Sequence, residues 1–182
     1  MKTQVLIVGA GMSGTHTAYQ LQQQGIDFIL VEARDRLGGR AYSRQWNSNQ
    51  YDNSQPAFDM GPAWFWPGQT RMEGLVNSLG LEEDVFLQTG EGDLVYEDHQ
   101  GRIQRGRGGA SMAGSYRMRG GIRQIIETMG EAIRADQCWL DTELKWLRYQ
   151  NEHIQAELQR GDSLMQIAVS YTHLTLPTIY SV

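Results

Sequence analysis

The feature that most constrains this chain is a glycine series, Gly9, Gly11 and Gly14, entered directly from the apolar, largely β-branched run Val5-Leu6-Ile7-Val8. A short continuous apolar run of this kind reads as a strand buried on both faces of a parallel sheet. The glycines then divide the work of the turn: Gly9 allows the tight bend, Gly11 allows a pyrophosphate to approach the backbone, and Gly14 lets the next helix pack against the strand. From Met12 to Gln24 small or apolar residues recur at Gly14, Ala18 and Leu21, a helical spacing, and Gly25 supplies the stop. The first turn of that helix, with Met12 and Ser13, offers unpaired N–H groups and a positive dipole end, an anion site that needs no lysine.

A second buried strand is expected over 27–32, with Phe28, Ile29, Leu30 and Val31 as its apolar run. Glu32 closes it 18 positions after Gly14, near the ~20-residue spacing at which an acid hydrogen-bonds ribose hydroxyls and disfavours a 2′-phosphate. A lone G-x-G-x-x-G is weak evidence; followed by this acid and by a second glycine pair, Leu37-Gly38-Gly39-Arg40, it points to a bound dinucleotide.

Residues 32–43, Glu-Ala-Arg-Asp-Arg-Leu-Gly-Gly-Arg-Ala-Tyr-Ser, resemble the flavin amine oxidase family, whose members carry Gly-Gly-Arg just beyond the ribose acid. The resemblance extends to Phe58-Asp59-Met60-Gly61-Pro62-Ala63-Trp64, similar to the family's Asp-hydrophobic-Gly-Gly segment beside the flavin ring, and to Arg119-Gly120-Gly121-Ile122, similar to its Gly-Gly-hydrophobic helix start. Pro62 departs from it, standing where many members have the second glycine, and a proline offers no N–H. The resemblance implies FAD as cofactor. It puts Ala33 and Arg34 beside Glu32 at the adenosine end, Gly38, Gly39 and Arg40 toward the pyrophosphate and flavin, and Gly61, Pro62, Ala63 and Trp64 along the isoalloxazine. Arg40 also suits the role on its own chemistry, since a guanidinium makes paired, charge-assisted bonds to phosphate oxygens.

Composition narrows the partners. A formal charge of −5 offers no general attraction to nucleic acid or to an anionic membrane, so neither is expected as a partner. The arginines at 102, 105, 107, 117, 119 and 123 are interleaved with glycines and read as a solvated loop or, less often, an anion site. Cys138 is the single cysteine, so no internal disulfide can form, and His16, His99, His153 and His173 lack metal-ligand spacing; no metal site is expected. The chain opens on the first strand without a signal-peptide pattern, and no run of 18 apolar residues occurs, which makes a cytoplasmic protein the expectation.

Beyond residue 66 the pattern changes. Met72, Leu75, Val76 and Leu79 predict a short amphipathic helix ended by Gly80, and residues 94–104 read as two strands around a turn at Gly101. A glycine-rich segment, 106–114, follows. Ile122, Ile125, Ile126, Met129, Ala132 and Ile133 then form the clearest apolar stripe, expected to pack on the sheet, and further strands are expected over 139–147 and around Ile154, Ala156 and Leu158. The expected fold is α/β, a Rossmann-like FAD-binding domain with a parallel sheet, interrupted by part of an α+β substrate domain and truncated. Its expected divisions are 1–66 and 116–169 for the FAD-binding domain and 67–115 for the substrate domain. Residues 170–182 fit none of this and resemble a translated sequencing adaptor, a non-native tail; the alternative is a terminal strand with Pro177 at an edge.

The resemblance covers residues 4 to 169 and only the first half of the family pattern, without the lysine and flanking aromatics that members place at the flavin. It implies the N-terminal part of an oxidoreductase that oxidises a small amine by hydride transfer to flavin, with oxygen as acceptor, and an inactive chain on its own. No catalytic residue is named by it. Desaturases and porphyrinogen-type oxidases share these motifs, a nicotinamide-dependent dehydrogenase shares the first glycine series, and a non-catalytic binding fragment is the third class. The oligomeric state is open.

Overall fold

The apolar run at residues 5–8 and the one at 28–31 become neighbouring parallel strands, and the rest of the fold is arranged around them. The computed structural model describes residues 1–45, 57–88, 93–107, 112, 114–150 and 153–171. In chain order the elements are β1 (Lys2–Val8), α1 (Met12–Gln23), β2 (Phe28–Val31), β3 (Ser43–Gln45), β4 (Ala57–Asp59), α2 (Thr70–Ser78), β5 (Val85–Leu87), β6 (Asp93–Glu97), β7 (Ile103–Arg107), β8 (Tyr116–Met118), α3 (Arg123–Glu131), β9 (Cys138–Trp139), β10 (Thr142–Gln150), β11 (His153–Arg160) and β12 (Ser163–Tyr171). The main sheet has six strands in the order β10-β11-β12-β1-β2-β9; the pairs β3–β4, β5–β8 and β6–β7 stand apart from it.

The sheet is mixed rather than all parallel. β1 runs parallel to β2 and β12, and β2 parallel to β9, whereas β10, β11 and β12 form an antiparallel meander. The meander brings β10 back against β2, which covers the second face of the sheet. This explains why β2 is apolar at every position. Phe28 and Leu30 pack with Ile7, Ala10, Ala18 and Ile133 on the helical side, while Ile29 and Val31 pack with Leu6, Ala156, Leu158, Ile167 and Val169 on the meander side. Strand alternation sends successive side chains to opposite faces, and here both are core. Each such fully buried side chain contributes roughly 1.5–3 kcal/mol by removal from water.

The helix ends follow from glycine. Past α1, Gly25 (φ +67°) donates to the Gln22 carbonyl at 3.1 Å and Ile26 to that of Leu21 at 3.0 Å, closing the helix with a left-handed cap. α2 ends the same way at Gly80.

The stripe on α3 packs differently from the sequence expectation. Ile122, Ile125, Ile126 and Met129 bury against Ala41, Phe65, Val76, Leu81 and Met118, and only Ile133 joins the sheet-side core. Ala132 is exposed. The helix therefore fills the space between α1, α2 and the segment after β4, because α1 already occupies the sheet face beside β1 and β2. Residues 108–111 and 113 of the glycine-rich segment, and 172–182 of the C-terminal segment, lie outside the described residues; Ser170 and Tyr171 belong to β12, where Tyr171 pairs with Val5.

Candidate dinucleotide cleft

The chain leaves β1 through Gly9, whose φ of +92° is a left-handed conformation and whose N–H donates to the Val31 carbonyl at 2.7 Å. Gly11 caps α1 without a side-chain bond, and the first helical bond is Thr15 N–H to the Gly11 carbonyl at 2.9 Å. The N–H groups of Met12, Ser13 and Gly14 are thus left without an intrahelical acceptor, aimed at the space beyond the helix. A Cβ on Gly14 would overlap the Gly9 carbonyl oxygen, so helix and turn touch through backbone alone.

A second loop docks on the first. Gly38 N–H donates to the Ala10 carbonyl at 2.7 Å, Gly11 and Gly38 form an isolated parallel bridge, and a Cβ on Gly39 would stand 3.3 Å from the Gly11 Cα. Gly38 (φ +103°) and Gly39 (φ +56°) both take left-handed conformations. Two glycine loops in backbone contact form the floor of a cleft of about 470 Å³, lined by Val8, Gly9, Gly11, Met12, Ser13, Gly14, Arg34, Gly38, Gly39, Arg40, Ala41 and Pro62. Of these, Val8 and Ala41 carry no site signal in the sequence; each merely ends or follows a motif.

Glu32 sits at the end of β2, fixed from three directions. Its Oε2 accepts the Ala10 N–H at 2.8 Å and its Oε1 accepts the Arg34 N–H at 3.0 Å. Its own N–H donates to the Trp139 carbonyl, and its carbonyl accepts from Thr142, at 2.9 and 2.8 Å. The carboxylate accepts one backbone bond per oxygen, so each oxygen keeps acceptor capacity for a hydroxyl. Ala33 is exposed beside it. Behind this corner, burial and, secondarily, the Glu32 carboxylate push the Cys138 thiol above its ordinary range, which keeps it protonated and unreactive at neutral pH.

The arginines separate into two kinds. Arg36 donates to the carbonyls of Leu37 and Gly39, both at 3.1 Å, and its guanidinium lies 4.4 Å from the centre of the Tyr42 ring; it holds the second loop together. Arg34 and Arg40 are exposed at the cleft. Arg34 makes one long bond to the Gly39 carbonyl at 3.4 Å, and Arg40 has no hydrogen bond or ion pair among the described residues. Two available guanidiniums beside the free N–H groups of α1 make the cleft anion-attracting in a chain that is acidic as a whole.

The far wall comes from the segment after β4. A Cβ on Gly61 would overlap the Arg40 carbonyl oxygen, and Pro62 lines the cleft. Ala63 is buried, and Trp64 turns away over Arg117, its ring centre 5.7 Å from the guanidinium carbon; neither lines the cleft. Phe65 is core, bridged to Tyr116 by two backbone bonds of 3.1 and 2.6 Å.

The device that fixes this segment has no signature in the sequence. Asp59 Oδ1 accepts the Ser43 hydroxyl at 2.5 Å and the Ile122 N–H at 2.8 Å, and Ser43 Oγ accepts the Arg123 N–H at 3.2 Å. The β3–β4 pair thereby caps α3 from a distance. Gly121 (φ +78°) lies so close to Ser43 and Asp59 that a Cβ would sit 2.5 Å from Ser43 Oγ. Among the described residues no group of three or more His, Cys, Asp or Glu could hold a metal ion, and no helix is long and apolar enough to cross a membrane.

This geometry fits a dinucleotide: glycine at each point where a Cβ would fill the cradle, free N–H donors and arginines for a pyrophosphate, and an oriented carboxylate for a ribose. Residues 7–79 match the NAD(P)-binding Rossmann-like domain family model. The chain is 37% identical to human flavin-containing amine oxidase B over 81 residues, covering 44% of this chain and 14% of that protein. It is 38% identical to the putrescine oxidase of Kocuria rosea over 93 residues, covering 50% of this chain and 17% of that protein. The fold matches a solved putrescine oxidase bound to putrescine with a TM-score of 0.72 at 17% identity, over 94% of this chain and 57% of that one. The chain therefore spans well under two thirds of the length of these relatives. By its Rossmann-like dinucleotide-binding region, the chain belongs among the flavin amine oxidase-like proteins.

Proposed function

We propose that this chain is the FAD-binding portion of an oxidoreductase of the amine oxidase type, which oxidises a small amine at its C–N bond with oxygen as final acceptor. The observation that carries the reading is the second glycine loop docked on the first, with Arg34 and Arg40 standing available at its rim. A nicotinamide site needs the first loop, the helix N-terminus and the acid; it does not need the Gly38-Gly39-Arg40 floor. The named relatives are flavin-containing amine oxidases and a putrescine oxidase, which supports the cofactor and the substrate class together.

FAD, when bound, supplies the hydride acceptor; the protein supplies position and electrostatics. In this reading Glu32 takes ribose hydroxyls while Ala10 and Arg34 hold its carboxylate in place. The N–H groups of Met12, Ser13 and Gly14 and the guanidinium of Arg40 take the pyrophosphate, and Gly61 to Trp64 border the ring. No residue here is assigned as a base. Residues 1–66 and 116–169 form the FAD-binding frame, 67–115 belong to the substrate side, and 170–182 are foreign to the fold.

Flavin binding tests the reading. Purified chain mixed with FAD should retain a flavin absorbance band in stoichiometric amount after gel filtration, and Arg40→Ala should raise the Kd about tenfold or more, the scale of a lost charge-assisted bond. The family model is described by NAD(P), which keeps a nicotinamide enzyme as the second reading. Stoichiometric NAD binding with no flavin retained would replace the first reading by the second.

A further inference from the structure

Asp59 poses a problem that its capping role does not resolve. Its side chain is 1% exposed, and while Oδ1 accepts two hydrogen bonds, Oδ2 is buried with no hydrogen-bond partner among the described residues. A buried carboxylate needs a countercharge, and the ion pair it makes is with Arg117, Nη2 to Oδ2 at 3.5 Å. Arg117 is placed by β8, where it pairs with Phe86 of β5, and its Nε is likewise buried without a hydrogen bond. The guanidinium is held by the charge of Asp59 on one side and by a ring on the other. That ring is Trp64.

Trp64 lies between two fixed points. Pro62 lines the cleft, and Phe65 is locked to Tyr116, the residue before Arg117. The indole is still 38% exposed, so backbone anchoring alone leaves it rotamers to choose from. We infer that Arg117, charged and held by Asp59, is the positioning residue of Trp64 and sets the indole at the ring end of the cofactor cleft. The inference rests on the flavin reading above for the identity of that end. A planar guanidinium can stack on an indole and face a carboxylate at once; an ammonium keeps the charge but not the plane, so Arg117→Lys separates positioning from charge neutralisation.

The test uses the full chain in four forms: wild type, Arg117→Lys, and each of these with Trp64→Phe added. In ligand-free protein, the near-UV circular dichroism difference between a background and the same background carrying Trp64→Phe isolates the indole's own band. That band should be clear in the wild-type background and collapse in the Arg117→Lys background, while the urea midpoint stays put because the carboxylate keeps its countercharge. Binding is then read with FAD and with ADP, which lacks the flavin ring. Arg117→Lys should raise the FAD Kd about three- to tenfold and leave the ADP Kd unchanged. An unchanged Trp64 band in Arg117→Lys overturns the inference whether or not flavin binds. An equal loss for FAD and ADP overturns it as well, since that is a fold effect. A wild-type chain that binds ADP and not FAD overturns the flavin reading instead, and the dichroism then decides for or against the Arg117–Trp64 contact alone.

Discussion

Two glycines three residues apart have opposite reasons for lacking a Cβ. At Gly14 the space is filled by the Gly9 carbonyl oxygen, a backbone atom that cannot step aside; at Gly11 nothing of the protein lies within 4 Å of where a Cβ would stand. Gly14→Ala should therefore destabilise the fold by about 1–3 kcal/mol, the cost of overpacking, despite the ~1 kcal/mol by which alanine is the better helix former. Gly11→Ala should leave the urea midpoint nearly unchanged and raise the FAD Kd more than tenfold, because the methyl enters space kept for the pyrophosphate. Comparing urea titrations with flavin titrations of both variants checks the assignment; a Gly11→Ala protein that binds FAD normally would remove the pyrophosphate from this position. Both roles are legible in the sequence, since a turn, a strand and a helix within fourteen residues leave the backbone few paths. The role of Arg36 is not. Its neighbours Arg34 and Arg40 carry the same charge a few positions away, and only the placement of Tyr42 and the Gly39 carbonyl turns Arg36 into a structural residue.

At the scale of elements, the legible parts are those whose partners are close in sequence. α1, β2, α2 and the β6–β7 hairpin follow from local periodicity and glycine stops. The β3–β4 pair does not: its strands are three residues each and the apolar pattern in them is slight, so only the far side of the molecule gives them a purpose. That purpose is to cap α3, with contacts from Asp59 to Ile122 and from Ser43 to Arg123 across 63 and 80 residues. The apolar stripe of α3 is legible, yet which surface it meets depends on α1 having taken the sheet face first. Ser43→Ala tests the cap. It removes the hydroxyl that donates to Asp59 and accepts from Arg123, and it should cost about 1–2 kcal/mol in urea-unfolding stability, in the range of other lost N-caps. Ser43→Thr, which keeps the hydroxyl, should recover part of it. If alanine costs nothing, the β3–β4 pair is not what starts α3.

On the scale of the whole molecule, the cleft and the apolar surface point the same way. Ser13, Arg34, Arg40 and Pro62 line the cleft and are all exposed, so its ring end stands open to water. Away from it, Val95 and Tyr96 are 58% and 57% exposed on β6, and as adjacent strand residues they face opposite sides; Ile103 on β7 is 62% exposed. A two-stranded hairpin with apolar side chains bare on both faces is marginal alone. Binding and chemistry therefore separate in this chain. The pyrophosphate and ribose contacts come from rigid elements that are all present, and they do not need an enclosed ring. Hydride transfer needs a substrate held against the ring and water kept out, and nothing in the described residues supplies that enclosure. The chain should hold FAD yet release no hydrogen peroxide above a flavin-only control when offered a panel of monoamines and putrescine, measured with a coupled peroxidase assay. Amine-dependent peroxide release that tracks bound flavin and disappears in Gly11→Ala would show that residues 1–171 already build a working site, and the division of labour between floor and enclosure would have to be redrawn.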